Sequence, residues 1–186
     1  AMLPLLGEAG QGKTNQLCYW TEQHIQRRDG VLIFNSSDFA VMSLEDRLRK
    51  LFGYSPKRDI RKIVDMLHDR AKVSGQRVYI FFDALNECLS YAGNVSGEGP
   101  LALYEDIHRI FGEAHYTNFK VVFTCRSYTW KSLFSVVMER DKELLYVGED
   151  ESLSTVRGFS AEELELAYAV YQDLYQMGTP FEELSP

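Results

Sequence analysis

Gly7-Glu8-Ala9-Gly10-Gln11-Gly12-Lys13-Thr14 follows the spacing G-x-x-x-x-G-K-[ST], a set of residue types suited to gripping phosphate. Glycines leave successive backbone N–H groups without a Cβ in front of them, so the loop can wrap a polyanion. A helix starting there adds its positive end. Lys13 brings a point charge to the β- and γ-phosphate oxygens, and the Thr14 hydroxyl offers one oxygen ligand to the Mg²⁺ that travels with a triphosphate. The expected nucleotide contacts are therefore Gly7, Glu8, Ala9, Gly10, Gln11, Gly12, Lys13, Thr14 and Asn15, with ATP or ADP and Mg²⁺ as the cofactors.

Using a triphosphate also takes a carboxylate to hold the metal's water shell and a group to orient the attacking water. Asp83 directly follows Val78-Tyr79-Ile80-Phe81-Phe82, which sets it at the carboxyl end of a strand, beside Thr14; these two are the expected metal residues. Glu87 lies past Ala84-Leu85-Asn86, and a turn back over the strand end brings it or Asn86 to face the γ-phosphate; Glu87 is the candidate general base. Arg126 follows Val121-Val122-Phe123-Thr124-Cys125 and is expected near the same phosphate, sensing it or neutralising transition-state charge. Lys13, Asp83, Glu87 and Arg126 form the expected catalytic set. Thr124 keeps two readings open, a residue that positions water or a buried strand-end hydroxyl bonded to backbone.

Such groups converge only if strand ends and helix starts are brought together. Leu3, Leu5 and Leu6 form an apolar run before the loop, and Thr14 to Arg28 carries Leu17, Cys18, Trp20 and Ile25 at helical spacing up to Asp29-Gly30. Val31 to Phe34 is a short buried strand, Ser43 caps a helix to about Phe52, and Asp59 to Val73 is a second helix. After the Asp83 strand, Tyr91 to Pro100 reads as a mobile, glycine-rich loop and a candidate lid. Leu101 to Ala114 is helical by pattern, Lys120 to Cys125 is a buried strand and Leu144 to Val147 a shorter one. Ser160-Ala161-Glu162-Glu163 is a capping box that opens a helix to about Gln176. The alternation predicts a three-layer α/β/α fold of the P-loop NTPase kind with an open, mainly parallel sheet, its ligand at the carboxyl ends of the strands. Residues 1–157 are the expected core, its first strand cut short, and 158–186 a separate segment that carries this last helix.

At 186 residues, 45% hydrophobic, the chain is large enough for a continuous core. A net charge of −7 argues against a nucleic-acid binder. The charge is nonetheless uneven: Arg47 to Lys72 holds nine Lys/Arg against three Asp/Glu, and Glu139 to Pro186 twelve Asp/Glu against three Lys/Arg. Solvated helix faces are the favoured reading of both, with a basic binding patch the alternative for the first. Cys18, Cys88 and Cys125 lack metal-ligand spacing and read as reduced core thiols, which points to the cytoplasm. No apolar run reaches the roughly 18 residues of a membrane span.

Taken in order, L-L-G-E-A-G-Q-G-K-T, Y-I-F-F-D-A-L-N-E, V-V-F-T-C-R and G-F-S-A-E-E-L resemble the nucleotide-binding domain of STAND-class P-loop NTPases, especially the NACHT-like branch of bacterial signalling and defence proteins. The resemblance runs from about Leu3 to Tyr171. It implies a signal-transduction switch, closed with ADP and forming homo-oligomers with ATP, whose partners are its own helical, winged-helix and sensor domains. It makes Lys13 and Thr14 the Walker A pair, Asp83 the Walker B residue and Arg126 the sensor arginine, and the helix of segment 158–186 resembles the start of the family's small helical domain. Many relatives carry a second aspartate where Asn86 stands, which argues against vigorous hydrolysis. The alternatives are an AAA+-like DNA-associated ATPase, which usually has a glutamate at the place of Ala84, a small-molecule kinase and a nucleotide-binding scaffold without turnover. No N-K-x-D motif suggests guanine recognition.

Overall fold

Residues 2–93, 99–133, 135–146, 154–158 and 160–175 are described by a computed structural model. They divide into two compact units, 1–156 and 157–186. In the first, β1 (Met2–Leu6), β2 (Gly30–Asn35), β3 (Val78–Asp83) and β4 (Phe119–Cys125) form a four-stranded sheet of order β1-β4-β3-β2. All pairs are parallel, with Leu5 beside Thr124, Asn35 beside Asp83 and Phe82 beside Phe123. The strands are nearly unbroken apolar runs, as suits a sheet with helices on both faces. At the edge, β2 departs from the expected buried strand Val31 to Phe34: Phe34 is buried while Ile33 is 50% exposed, because an edge strand has a neighbour on one side.

Right-handed crossovers decide which helix covers which face. The connection from β1 to β2 spans the sheet and puts α1 (Lys13–Gln26) on one side. The return through α2 (Leu44–Leu51), α3 (Ile60–Ser74) and α4 (Gly99–Phe111) fills the other, followed by α5 (Ser127–Leu133) and α6 (Ser135–Arg140). Most of the core lies on this second side, where Phe34, Phe82 and Phe123 meet Phe39, Ile63, Tyr104, Ile107 and Trp130. The α1 side holds only a small buried cluster of Leu5, Leu17, Phe81 and Val122. Ser43 and Asp59 cap α2 and α3 by accepting from the N–H of Asp46 (3.2 Å) and Arg61 (3.0 Å). The described part of the second unit is α7 (Ala161–Tyr175), opened by a reciprocal capping box between Ser160 and Glu163.

Besides β2, the elements fall close to the sequence expectations, with four instructive differences. Of the α1 row, Leu17 is buried, but Cys18 and Ile25 are exposed, Ile25 at 59%. The buried row runs instead through Leu17, Trp20 and His24, whose ring stacks on Tyr79 at 3.4 Å between centroids. A helix packed on a sheet buries one stripe, and Cys18 and Ile25 are about 100° away from it. The expected strand Leu144 to Val147 is reduced to a bridge between Leu145 and Met2, flanked by the bonds Met2 N–H to Leu144 O and Tyr146 N–H to Met2 O, both 2.8 Å; Val147 lies outside the described residues.

The expected loop Tyr91 to Pro100 ends earlier, since Gly99 and Pro100 are the buried first residues of α4. Its start is tethered: the Tyr91 hydroxyl donates to Asp106 and accepts from the Leu44 N–H at 3.0 Å. Residues 94–98 of the expected lid lie outside the described ones. Finally, a 3₁₀ turn at Ser36–Ala40, which buries Phe39, and the short helices α5 and α6 were not expected from periodicity.

Cys18 corrects the reading of three core thiols, whereas Cys88 and Cys125 are buried. Burial pushes the Cys88 thiol up to about 11 and Cys125 to about 12. At pH 8 a thiol reagent should therefore modify one cysteine of the native chain quickly and all three after denaturation. Rapid modification of two or more native thiols, read by absorbance, would contradict this packing.

Candidate functional site

The turn from β1 into α1 is made by glycines in the left-handed region. Gly10 and Gly12 have φ of 79° and 78°, conformations that strain any residue with a Cβ. Gly12 is also the N-cap of α1 and has no side chain to satisfy the first-turn N–H groups, which leaves them as donors at the positive end of the helix. The Gln11 side chain closes the loop by accepting from the Glu8 N–H at 2.6 Å.

The Lys13 ammonium donates to the carbonyls of Gly7 (2.8 Å) and Glu8 (2.6 Å), so its charge is held inside the loop. Burial lowers its pKa below that of an ordinary lysine, helped by the nearby Arg126 and opposed by Glu8 and Asp83. A partly desolvated cation gains more from a polyanion than a fully hydrated one does.

Across the mouth, the Thr14 hydroxyl donates to Asp83 Oδ2 at 2.7 Å, joining groups 69 residues apart. The Thr124 hydroxyl donates to Asp83 Oδ1, also at 2.7 Å, and accepts from the Ala84 N–H at 2.7 Å. Of its two open readings, this is the second, a buried strand-end hydroxyl bonded to backbone. Directly beyond Asp83 the chain turns sharply, with Ala84 at φ 53° and ψ 54°. A non-glycine residue there costs about 1–2 kcal/mol. Two cross-links hold the turn: the Thr124–Ala84 bond and a second in which the Arg126 N–H donates to Asn86 Oδ1 at 3.1 Å.

A cavity of about 360 Å³ opens here, lined by residues 9–15 of the loop together with Asp83, Ala84, Asn86, Glu87, Thr124 and Arg126. Seven of the nine expected loop contacts, Ala9 to Asn15, reach its wall; Gly7 and Glu8 instead hold Lys13 from behind. All four expected catalytic side chains line the same mouth. Two residues missing from that expectation, Asn86 and Thr124, fix its geometry. Their signal in the sequence was placement alone, polar residues at the ends of apolar strands.

A larger cavity of about 440 Å³ lies between α2 and α4, lined by Glu45, Asp46, Arg49, Asp106 and Arg109 among others. Its charges already satisfy one another. Arg49 pairs with Glu45 (2.6 Å) and Asp46 (2.9 Å), and Arg109 pairs with Asp106 and with Glu45 (2.5 Å). An incoming ion would have to break this network, so size does not make it the better site.

The donor set at the smaller mouth suits Mg²⁺. A hydroxyl that donates its proton to Asp83 keeps lone pairs for a metal, and Mg²⁺ is commonly held by one or two protein oxygens plus phosphate and water. Among the described residues no three His, Cys, Asp or Glu side chains gather into a metal cluster, so protein ligation would rest on Thr14 and Asp83.

A parallel sheet of order β1-β4-β3-β2 with helices on both faces, and a glycine loop between its first strand and first helix, is the P-loop NTPase fold. Among solved structures the chain is similar to the ORC2 protein of Aeropyrum pernix in its ADPNP-ADP complexes, at 12% identity and a TM-score of 0.57 over 93% of this chain. It is likewise similar to the ADP form of that protein, at 14% identity and a TM-score of 0.58, again over 93%. The likeness is one of fold, and this chain spans 45% and 46% of the two ORC2 chains. No protein-family model and no curated protein sequence matches it. None of its described helices is long and apolar enough to cross a membrane.

Proposed function

We propose that this chain is the ATP- and ADP-binding module of a signalling switch, a slow ATPase of the STAND, NACHT-like kind whose nucleotide state biases conformation and homo-oligomer assembly. The observation that carries the nucleotide reading is the 2.7 Å bond from Thr14 to Asp83, which brings the phosphate loop and the metal carboxylate to one mouth together with Lys13 and Arg126. Loop amides and the Lys13 ammonium hold the phosphates. Thr14 and Asp83 would hold Mg²⁺, which would supply charge neutralisation for the phosphates. Arg126 meets the γ-phosphate, and Glu87 orients and deprotonates the attacking water.

Slow turnover agrees with two features. Ala84 follows the metal aspartate directly, with no carboxylate of its own, and Glu87 is exposed at the end of a 3₁₀ turn (Leu85–Glu87) whose Leu85 is buried. In the experiment, Glu87→Gln is compared with the parent for phosphate release from Mg·ATP. The proposal expects a drop of about a hundredfold with nucleotide affinity kept. Equal and negligible release in both proteins would contradict an ATPase and leave a nucleotide-binding scaffold.

An AAA+-like DNA-associated ATPase is the second reading, and the fold likeness to ORC2 suits it about as well. Stimulation of phosphate release by duplex DNA would favour it over the switch.

A further inference from the structure

We infer that Thr124 is a positioning residue that holds Asp83 in its metal-binding orientation, rather than a group that orients the attacking water. The inference rests on the nucleotide reading above and assigns a specific task to a side chain that is 1% exposed. A threonine hydroxyl has one proton and two lone pairs. Here the proton goes to Asp83 Oδ1 (2.7 Å) and one lone pair to the Ala84 N–H (2.7 Å). With its proton committed to the Asp83 carboxylate, Thr124 has none to give to a phosphate or to a water, and at 1% exposure its remaining lone pair is shielded from solvent.

The effect falls on Asp83. Its two oxygens are held by hydroxyls from different elements, Oδ2 by Thr14 on α1 and Oδ1 by Thr124 on β4. Without Thr124, the side-chain donor left to Asp83 among the described residues is Thr14, on the helix that must also serve the metal and the phosphates. The carboxylate then gains rotamer freedom, and the Ala84 N–H loses its partner within a strained turn. A hydrogen-bonding partner behind a metal ligand typically changes metal affinity by about 10- to 100-fold.

The test measures binding of a fluorescent ADP analogue to the 186-residue chain, with Mg²⁺ titrated and with Mg²⁺ chelated, for the parent, Thr124→Val and Thr124→Ser. Valine keeps the shape and the strand preference but removes the hydroxyl; serine restores the hydroxyl. The Mg²⁺ concentration that half-saturates the Mg²⁺-dependent gain in ADP affinity should rise about tenfold in the valine variant and stay within about twofold of the parent in the serine variant. ADP binding without Mg²⁺ should be unchanged in both.

An unchanged Mg²⁺ dependence in Thr124→Val would overturn the inference. Equal impairment in Thr124→Ser would do so too, by assigning the effect to packing. If Thr124→Val does not fold, as judged by thermal unfolding, Thr124→Ala takes its place with the same expectations. A parent chain that binds no ADP, with or without Mg²⁺, would overturn the nucleotide reading itself and this inference with it.

Discussion

Lys13→Ala should abolish measurable binding of ATP and ADP, a loss of at least about a hundredfold in Kd. The ammonium is held inside the phosphate loop by the Gly7 and Glu8 carbonyls at 2.8 and 2.6 Å, so little ordering remains when a phosphate arrives. The substitution leaves the loop's carbonyls and amides in place and removes its one lysine, which separates charge from shape. Its effect on folding should be small. The two charge-assisted bonds to carbonyls contribute about 1.5 kcal/mol each, the lower end for a charged donor, because the site is partly open to water. Against them, the buried charge is a cost.

The sign of that cost follows from the direction of the shift. Burial lowers the folded-state pKa of Lys13, so the unfolded chain binds more protons over the interval between the two pKa values, and stability rises with pH across it. At neutral pH the parent carries the full cost and the alanine variant none, so the two should melt within a few degrees of each other. A bound polyanion favours the ammonium and raises its pKa, so ADP binding takes up protons at alkaline pH and weakens as pH climbs through the folded pKa. Calorimetric titrations of parent and variant across pH check both statements. Parent-like ADP affinity in Lys13→Ala would remove the phosphate loop from the account.

Asp83→Asn has the second large effect, and it divides affinity from metal dependence. The carboxylate accepts from Thr14 and from Thr124, each at 2.7 Å, whereas an amide has one acceptor oxygen and must turn its NH₂ toward one of those hydroxyls. Phosphate release should fall by about a hundredfold or more, and Mg²⁺ should no longer strengthen ADP binding. Binding of Mg²⁺-free ADP should be retained or tightened, because a negative charge facing the phosphates has gone. A uniform loss of ADP affinity with and without Mg²⁺ would show that Asp83 supports the loop and not a metal.

The sequence made the loop and the strand ends legible for a local reason. Gly10, Gly12, Lys13 and Thr14 are chemically constrained within a few residues of one another, and Asp83 and Arg126 close apolar runs whose direction is plain. Thr124 was ambiguous because its partner depends on register. The hydroxyl meets Asp83 because β3 and β4 pair with Phe82 beside Phe123, a fact of tertiary structure. Asn86 was visible as a departure from a pattern, but its bond to the Arg126 N–H depends on the turn at Ala84, a left-handed residue no propensity would suggest.

The misread faces have a similar cause. Cys18 and Ile25 belong to the same apolar stretch as Leu17, yet which row of α1 meets the sheet is set by its packing against Tyr79 and Phe81 on β3. Helices α5 and α6, seven and six residues long, are too short for periodicity to reveal, and Trp130 is buried through its contacts with Tyr104 and Phe123.

The most direct measurement is a crystal structure of the chain grown with ADP and Mg²⁺. The account places the β-phosphate within hydrogen-bonding distance of backbone N–H groups in residues 10–15 and of Lys13 Nζ, and the metal on Thr14 Oγ1 on the side facing Asp83. Density for ADP elsewhere on the chain, or in the loop with the metal bound away from both Thr14 and Asp83, would contradict it.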